Sequence, residues 1–324
     1  MKIVLRLFTI FVLCTSVAVI ACGRVDTVRF PSKLVNTTLP YNVILPTDYD
    51  TARSTRYPVL YLLHGLTGHY SDWLSRTNVA DYASEYRMII VMPEGNDGWY
   101  TDSGIVVNDK YETYILQELI PDVQQRYRTI EARYGRAIAG LSMGGYGALK
   151  FGLKLPQTFV FAASMSGVLG VTRLPEKDIP SSWQESLKLF GPPASETRKA
   201  NDLFEIISKL PAARLASLPY FYFDCGTEDA PLIFSYNREL SGLMYEKKIP
   251  HEYRELPGDH SWGYWDSQVQ EILRIAAHKM RLPRTTNKQQ RMTRPWSAAT
   301  CRRFGHESFA RRKRRQVAAL QRGV

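Results

Sequence analysis

The sequence predicts an α/β domain with a mostly parallel central sheet and helices on both of its faces. Two observations carry that prediction. YPVLYLL (residues 57–63) and MIIVM (residues 88–92) are continuous apolar runs, the pattern of strands covered on both sides. Segments with helical periodicity lie between such runs, and strand alternating with helix builds a parallel sheet. Composition agrees: with 44% hydrophobic and 23% charged residues, the chain is excluded from the disordered, collagen-like and multi-span membrane classes.

Taken in order, the chain opens on a targeting signal. Lys2 and Arg6 flank the start of an apolar run over residues 7–21, broken only by Thr9, Cys14, Thr15 and Ser16. As a helix that run spans roughly 22 Å, short of a ~30 Å hydrocarbon core. A basic start with an apolar stretch of this length reads as a secretory signal over residues 1–21. Val19-Ile20-Ala21-Cys22 also resembles a lipobox, in which Cys22 becomes the lipidated mature N-terminus. Ordinary cleavage beside small residues is the alternative. The expected location is periplasmic or extracellular, with membrane anchoring as a lipoprotein where Cys22 is modified.

Residues 22–282 then form one domain. Residues 39–45 read as an edge strand, with Pro40 and Pro46 near its ends. After the strands at 57–63 and 88–92, Tyr111, Ile115, Leu119, Val123 and Tyr127 recur every four residues and predict a helix that Pro121 kinks or restarts. Strands are predicted at 136–140, 159–163 and 220–223, with a further strand-like run, HEYREL, at 251–256. Helices are predicted at 143–155, 232–246 and 262–280. Residues 171–216 are irregular and rich in Pro and Ser, with short helices at 183–190 and 202–209. This insertion either roofs a site or is a passive surface excursion.

Residues 283–324 form a basic tail, predicted to be disordered. It holds 12 of the 42 Lys and Arg but one of the 31 Asp and Glu, Glu307, so the remainder of the chain is electrically balanced. The formal net charge of +11 therefore says nothing about the substrate of the domain. Arg311-Arg312-Lys313-Arg314-Arg315 suits nonspecific contact with an anionic membrane or another polyanion. No specific nucleic-acid motif is present. The four cysteines, Cys14, Cys22, Cys225 and Cys301, suggest neither a disulfide framework nor a zinc site. Cys225, inside an apolar strand, reads as a packed thiol.

The chemistry centres on Gly140-Leu141-Ser142-Met143-Gly144, a G-x-S-x-G match between an apolar strand and a helix. Such an elbow exposes the central serine as a nucleophile, and the glycines let neighbouring backbone pass close. A serine hydroxyl needs a base within hydrogen-bond reach. Of the six histidines, His260 follows the last strand in the loop PGDHSW, at the sheet edge where that base is required. The acid should leave the preceding strand, and Asp229 lies past its turn. Asp224 and Glu228 remain open alternatives. Oxyanion stabilisation calls for the backbone N–H of Met143 and a second donor after the strand at 57–63, with the N–H of Leu66 preferred. His64 reads as a structural histidine bracing that loop.

LLHGLTG (62–68), GLSMGGYGAL (140–149), DCGTEDA (224–230) and PGDHSWGYW (257–265) together resemble the putative-esterase, or esterase D, family. The resemblance runs from about residue 32 to 281 and implies the α/β-hydrolase fold. It implies Ser142 as nucleophile, Asp229 as acid and His260 as base, with Leu66 and Met143 at the oxyanion-hole positions. PEGNDGWYTDS (93–103) also resembles the family and implies Trp99 and Tyr100 as residues lining the acyl or alcohol site. Ala230-Pro231 departs from the bulkier apolar pair often found there, and the tail has no counterpart.

The resulting expectation is an exported serine esterase that hydrolyses short-chain or aryl carboxylic esters through an acyl-enzyme, with no metal or organic cofactor and a small-molecule ester as its partner. One rival is an acyltransferase on the same machinery, passing the acyl group to a sugar or other alcohol. Another, of a different class, is a non-catalytic surface protein that binds polyanions.

Overall fold

The computed structural model describes residues 23–280. The signal, Cys22 and the tail lie outside the described residues. Eight strands form one sheet: β1 (Val25–Ser32), β2 (Thr37–Ile44), β3 (Val59–Leu63), β4 (Ile89–Pro93), β5 (Arg136–Leu141), β6 (Phe161–Met165), β7 (Tyr220–Gly226) and β8 (His251–Leu256). Their order is β1-β2-β4-β3-β5-β6-β7-β8. β1 and β2 pair antiparallel, as do β2 and β4, and every later pair is parallel. This is the α/β-hydrolase fold.

The apolar runs are continuous because both faces are covered. Val59, Tyr61 and Leu63 of β3 belong to one core and Leu60 and Leu62 to the other. The first core is packed by the helices Met143–Lys154 and Pro231–Glu246, through Leu149, Phe151 and Leu240. The second is closed by Trp262–Lys279 through Val269, Ile272 and Leu273, with Trp73 beside them.

Several elements differ from the sequence reading. β2 is an interior strand, and the edge on its side of the sheet is β1, whose half-exposed alternating residues gave little signal. Pro40 marks the limit of the β2–β4 ladder, which starts at Tyr41 opposite Pro93, so the missing proline N–H is not called upon. β6 begins at Phe161 and ends at Met165, later than expected, and a short helix, Glu196–Ala200, was not anticipated. The four-residue spacing around Pro121 becomes a π-helical turn, Ile115–Leu119, between Tyr111–Tyr114 and Ile120–Arg126. The wider turn absorbs the proline at the start of the last segment, where a missing donor is tolerated.

The chain goes from β3 to β4 on one side and then returns to β5 on the other. The crevice at the C-terminal ends of β3 and β5 is therefore the topological switch point, where open α/β sheets place their ligands.

Candidate active site

β5 hands over to the helix Met143–Lys154 at Ser142, whose φ of 51° and ψ of −117° lie outside the ordinary regions for a residue with a side chain. The turn is held on both sides. Ser142 N–H donates to the Met165 carbonyl at 3.0 Å, and its own carbonyl accepts from Tyr146 at 3.1 Å and Val168 at 3.2 Å. The glycines of the motif have a steric reason. A Cβ on Gly140 would stand 2.5 Å from the Gly144 carbonyl carbon, and one on Gly144 would stand 2.5 Å from the carbonyl oxygen of His64.

Ser142 Oγ lies 3.0 Å from His260 Nε2. The other ring nitrogen, Nδ1, lies 3.0 Å from each carboxylate oxygen of Asp229. A proton on Nδ1 satisfies the carboxylate and leaves Nε2 free to accept the serine O–H. Trp265 meets the imidazole edge-on, with centroids 4.9 Å apart. The loops carrying acid and base are stitched together, since Thr227 N–H donates to Leu256 and Glu228 N–H to Gly258. Asp229 is buried, and its Oδ1 also accepts from Ala230 N–H at 2.7 Å. Ala230-Pro231, the departure from the family pattern, starts the helix Pro231–Glu246 with proline in its first turn.

The other carboxylates are placed elsewhere. Asp224 is wholly buried at the end of β7 and accepts from the Tyr264 hydroxyl at 2.8 Å. Burial pushes its carboxyl up to about 7, against the lowering effect of the Tyr264 and Tyr222 hydroxyls. Glu228 is exposed. Asp259 stays local, accepting from the Ser261 hydroxyl. Cys225 is a buried free thiol, which burial and the nearby Asp229 push up and so keep protonated.

His64 is buried and braces the loop after β3. Its Nδ1–H donates to the Gly65 carbonyl at 2.7 Å, while Nε2 meets the Gly95 N–H at 2.9 Å and Glu94 Oε1 at 3.1 Å. Burial opposes ionisation of Glu94, yet His64 and the amides of Asn96 and Tyr70 outweigh it and hold the carboxyl down at about 2. Gly65 abuts the nucleophile: a Cβ there would stand 3.3 Å from the Ser142 Cβ. Leu66, the next residue, lines the cleft over Ser142. Met143 opens its helix, where first-turn amides have no intrahelical acceptor.

A cleft of about 560 Å³ lies above these groups, walled by Leu66, Trp183, Trp262 and Trp265 with Asp72 and Arg76 also lining it. Trp99 and Tyr100 require a correction. Both are fully buried and neither lines the cleft. Trp99 packs against Trp183, Tyr146 and Phe190, and its ring N–H donates to Ser186. The Tyr100 hydroxyl donates to the His64 carbonyl at 3.1 Å. Each sits at positive φ (48° and 49°), which turns the backbone there and carries the side chains inward. Sequence reasoning missed the tryptophans that do face the cleft. Trp262 was within reach of it, two residues past His260, but Trp183 lies in the irregular insertion, which carries no periodic signal.

The sequence profile of the family described as Putative esterase matches residues 32–275. Over 255 residues the chain is 27% identical to an acetyl esterase of Caldicellulosiruptor saccharolyticus, covering 75% of this chain and 94% of that protein. A diacylglycerol acyltransferase/mycolyltransferase, Ag85A of Mycobacterium leprae, is 26% identical over 247 residues, 66% of this chain and 73% of its own. Among solved structures, a ferulic acid esterase superposes with a TM-score of 0.68 at 29% identity, covering 80% of this chain and 99% of that one. With the profile spanning most of the folded domain and the sheet topology in agreement, the chain belongs to the putative esterase family of α/β-hydrolases.

Proposed function

We propose that the protein is an exported serine esterase that cleaves short-chain or aryl carboxylic esters through an acyl-enzyme. The observation that carries this reading is the unbroken relay from Ser142 Oγ through His260 to Asp229, with each link at 3.0 Å. Ser142 attacks the ester carbonyl as His260 Nε2 takes its proton. Asp229 orients the imidazole and stabilises its cation. The amides of Met143 and Leu66 receive the charge that develops on the carbonyl oxygen. His260 then returns the proton to the leaving alcohol, and water repeats the sequence to free the acid and Ser142.

Hydrolysis of p-nitrophenyl acetate, butyrate and octanoate, measured beside Ser142→Ala, tests this. Loss of roughly 10⁴ or more in the variant is expected. Weak turnover unchanged by the substitution would sink the assignment. The likeness to mycolyltransferases favours one second reading, transfer of the acyl group to a sugar or other alcohol. Adding a sugar acceptor to the assay separates the two, because transfer products then form at the expense of free acid. Export rests on the sequence of residues 1–22, and membrane or polyanion contact through the tail on its charge; N-terminal sequencing of the secreted protein tests the first.

A further inference from the structure

The folded domain has an electrostatic polarity that its nearly balanced composition conceals. The C-terminal ends of the parallel strands carry the cleft. The opposite edge is formed by the segments leading into the strands: residues 23–24, 45–56, 84–88, 127–136, 155–160, 209–219 and 247–250. These segments contain eleven Lys or Arg and four Asp or Glu. Three of the four acids are already matched, Asp48 by Arg87, Asp50 by Arg24 and Glu131 by Arg56. Among the described residues, exposed Arg53, Arg214, Lys247 and Lys248 have no carboxylate partner within ion-pair distance.

Exposed aromatic side chains sit in the same place. Tyr245, 81% exposed, is the penultimate residue of the helix that runs down to this edge, and Tyr134, 50% exposed, stands between Arg133 and Arg136. Tyrosine among lysine and arginine is the composition that settles at the headgroup level of a lipid surface. Both ends of the described chain emerge here too. Arg24 is bonded to Leu45 beyond the end of β2, and Lys279, next to Met280, lies over the ring of Tyr220, the first residue of β7.

We propose that this N-terminal edge of the sheet is a docking surface for an anionic lipid surface, which leaves the cleft at the opposite edge open to the surroundings. Attraction of clustered Lys and Arg to anionic headgroups is short-ranged and screened by salt. The reading is independent of the chemistry assigned to Ser142.

The test is cosedimentation of the full chain with vesicles of phosphatidylcholine alone and with vesicles in which about a third of the lipid is phosphatidylglycerol. Binding only to the anionic vesicles, weakened by salt, is expected. Arg214→Glu, Lys247→Glu and Lys248→Glu together should weaken it on the order of tenfold or more. Tyr245→Ala should weaken it with the salt dependence unchanged. Hydrolysis of a soluble ester should survive in both, which shows that the variants are folded. Equal binding to neutral vesicles, or a triple variant that binds like the parent, would overturn the proposal. So would a short duplex DNA that binds more tightly than the vesicles and is lost in the same variant, since the face would then belong to nucleic acid.

Discussion

Asp224 and Asp229 are five residues apart on one strand and its turn, yet they occupy opposite electrostatic situations. Asp229 holds His260 Nδ1 with both oxygens at 3.0 Å and takes a further N–H from Ala230. Asp224 is enclosed below it, with one hydroxyl at 2.8 Å and an upward-shifted carboxyl. The turn at 226–228 separates the two roles. Of the two, only Asp229 reaches His260; Asp224 meets the Tyr264 hydroxyl instead.

Replacing these carboxylates should therefore give unequal results. Asp229→Asn keeps the shape but presents an amide to Nδ1, and kcat should fall by about 10⁴. Glu228→Gln, exposed and away from the ring, should stay within a few-fold of the parent. Steady-state kinetics on one p-nitrophenyl ester checks both. A Glu228 variant as damaged as the Asp229 variant would reassign the acid.

Asp224 makes stability depend on pH. Its folded value, about 7, lies above the ordinary 3.8, so the native state holds the proton more tightly than the unfolded chain. The stabilisation is complete below about 4 and is lost as pH rises toward 7, and at most about 4 kcal/mol is involved. Asp224→Asn removes the titration while its amide oxygen still accepts from Tyr264. Thermal melts from pH 4 to 8 should show the parent losing stability through this window relative to the variant. Parallel curves would refute the linkage. Glu94 acts with the opposite sign: held at about 2, it stabilises above its usual value of 4.5, and that contribution disappears as pH falls from 4.5 toward 2.

Much of this arrangement was legible in the residues. The two-faced strands announced themselves because burial on both sides leaves no polar position in YPVLYLL or MIIVM. The contact of Ser142 with His260 was legible because a strand-to-helix elbow needs its glycines and His260 follows the last strand. The acid stayed open among three neighbours, since the choice depends on how the turn folds back over Gly258. The cleft wall was not legible. Burial of Trp99 follows from a backbone reversal at positive φ, and Trp183 reaches the cleft from an insertion with no period. β1 escaped for a related reason: an edge strand with half-exposed residues lacks the apolar contrast that marks the interior strands.

His64 should behave as a positioning residue. It fixes the Gly65 carbonyl and so the peptide that carries the Leu66 N–H. His64→Ala should lower kcat by about 10²-fold, the cost of one misplaced oxyanion donor, with KM nearly unchanged. A rise in KM with kcat intact would instead place His64 in substrate binding.

Trp183 and Trp99 touch, with ring centroids 5.7 Å apart, but only Trp183 faces the cleft. Removing each should report on a different property. Trp183→Ala deletes part of the cleft wall at a half-exposed position, so stability should change little while the ratio of octanoate to acetate hydrolysis shifts. Trp99→Ala empties a fully buried site shared with Tyr146 and Phe190, and a stability loss of about 3–5 kcal/mol is expected. The two outcomes are read by urea denaturation and by the chain-length profile of each variant. If Trp99→Ala instead left stability intact and altered only the profile, the residue would have to line the substrate site directly, as its place in the family motif implied and its burial contradicts.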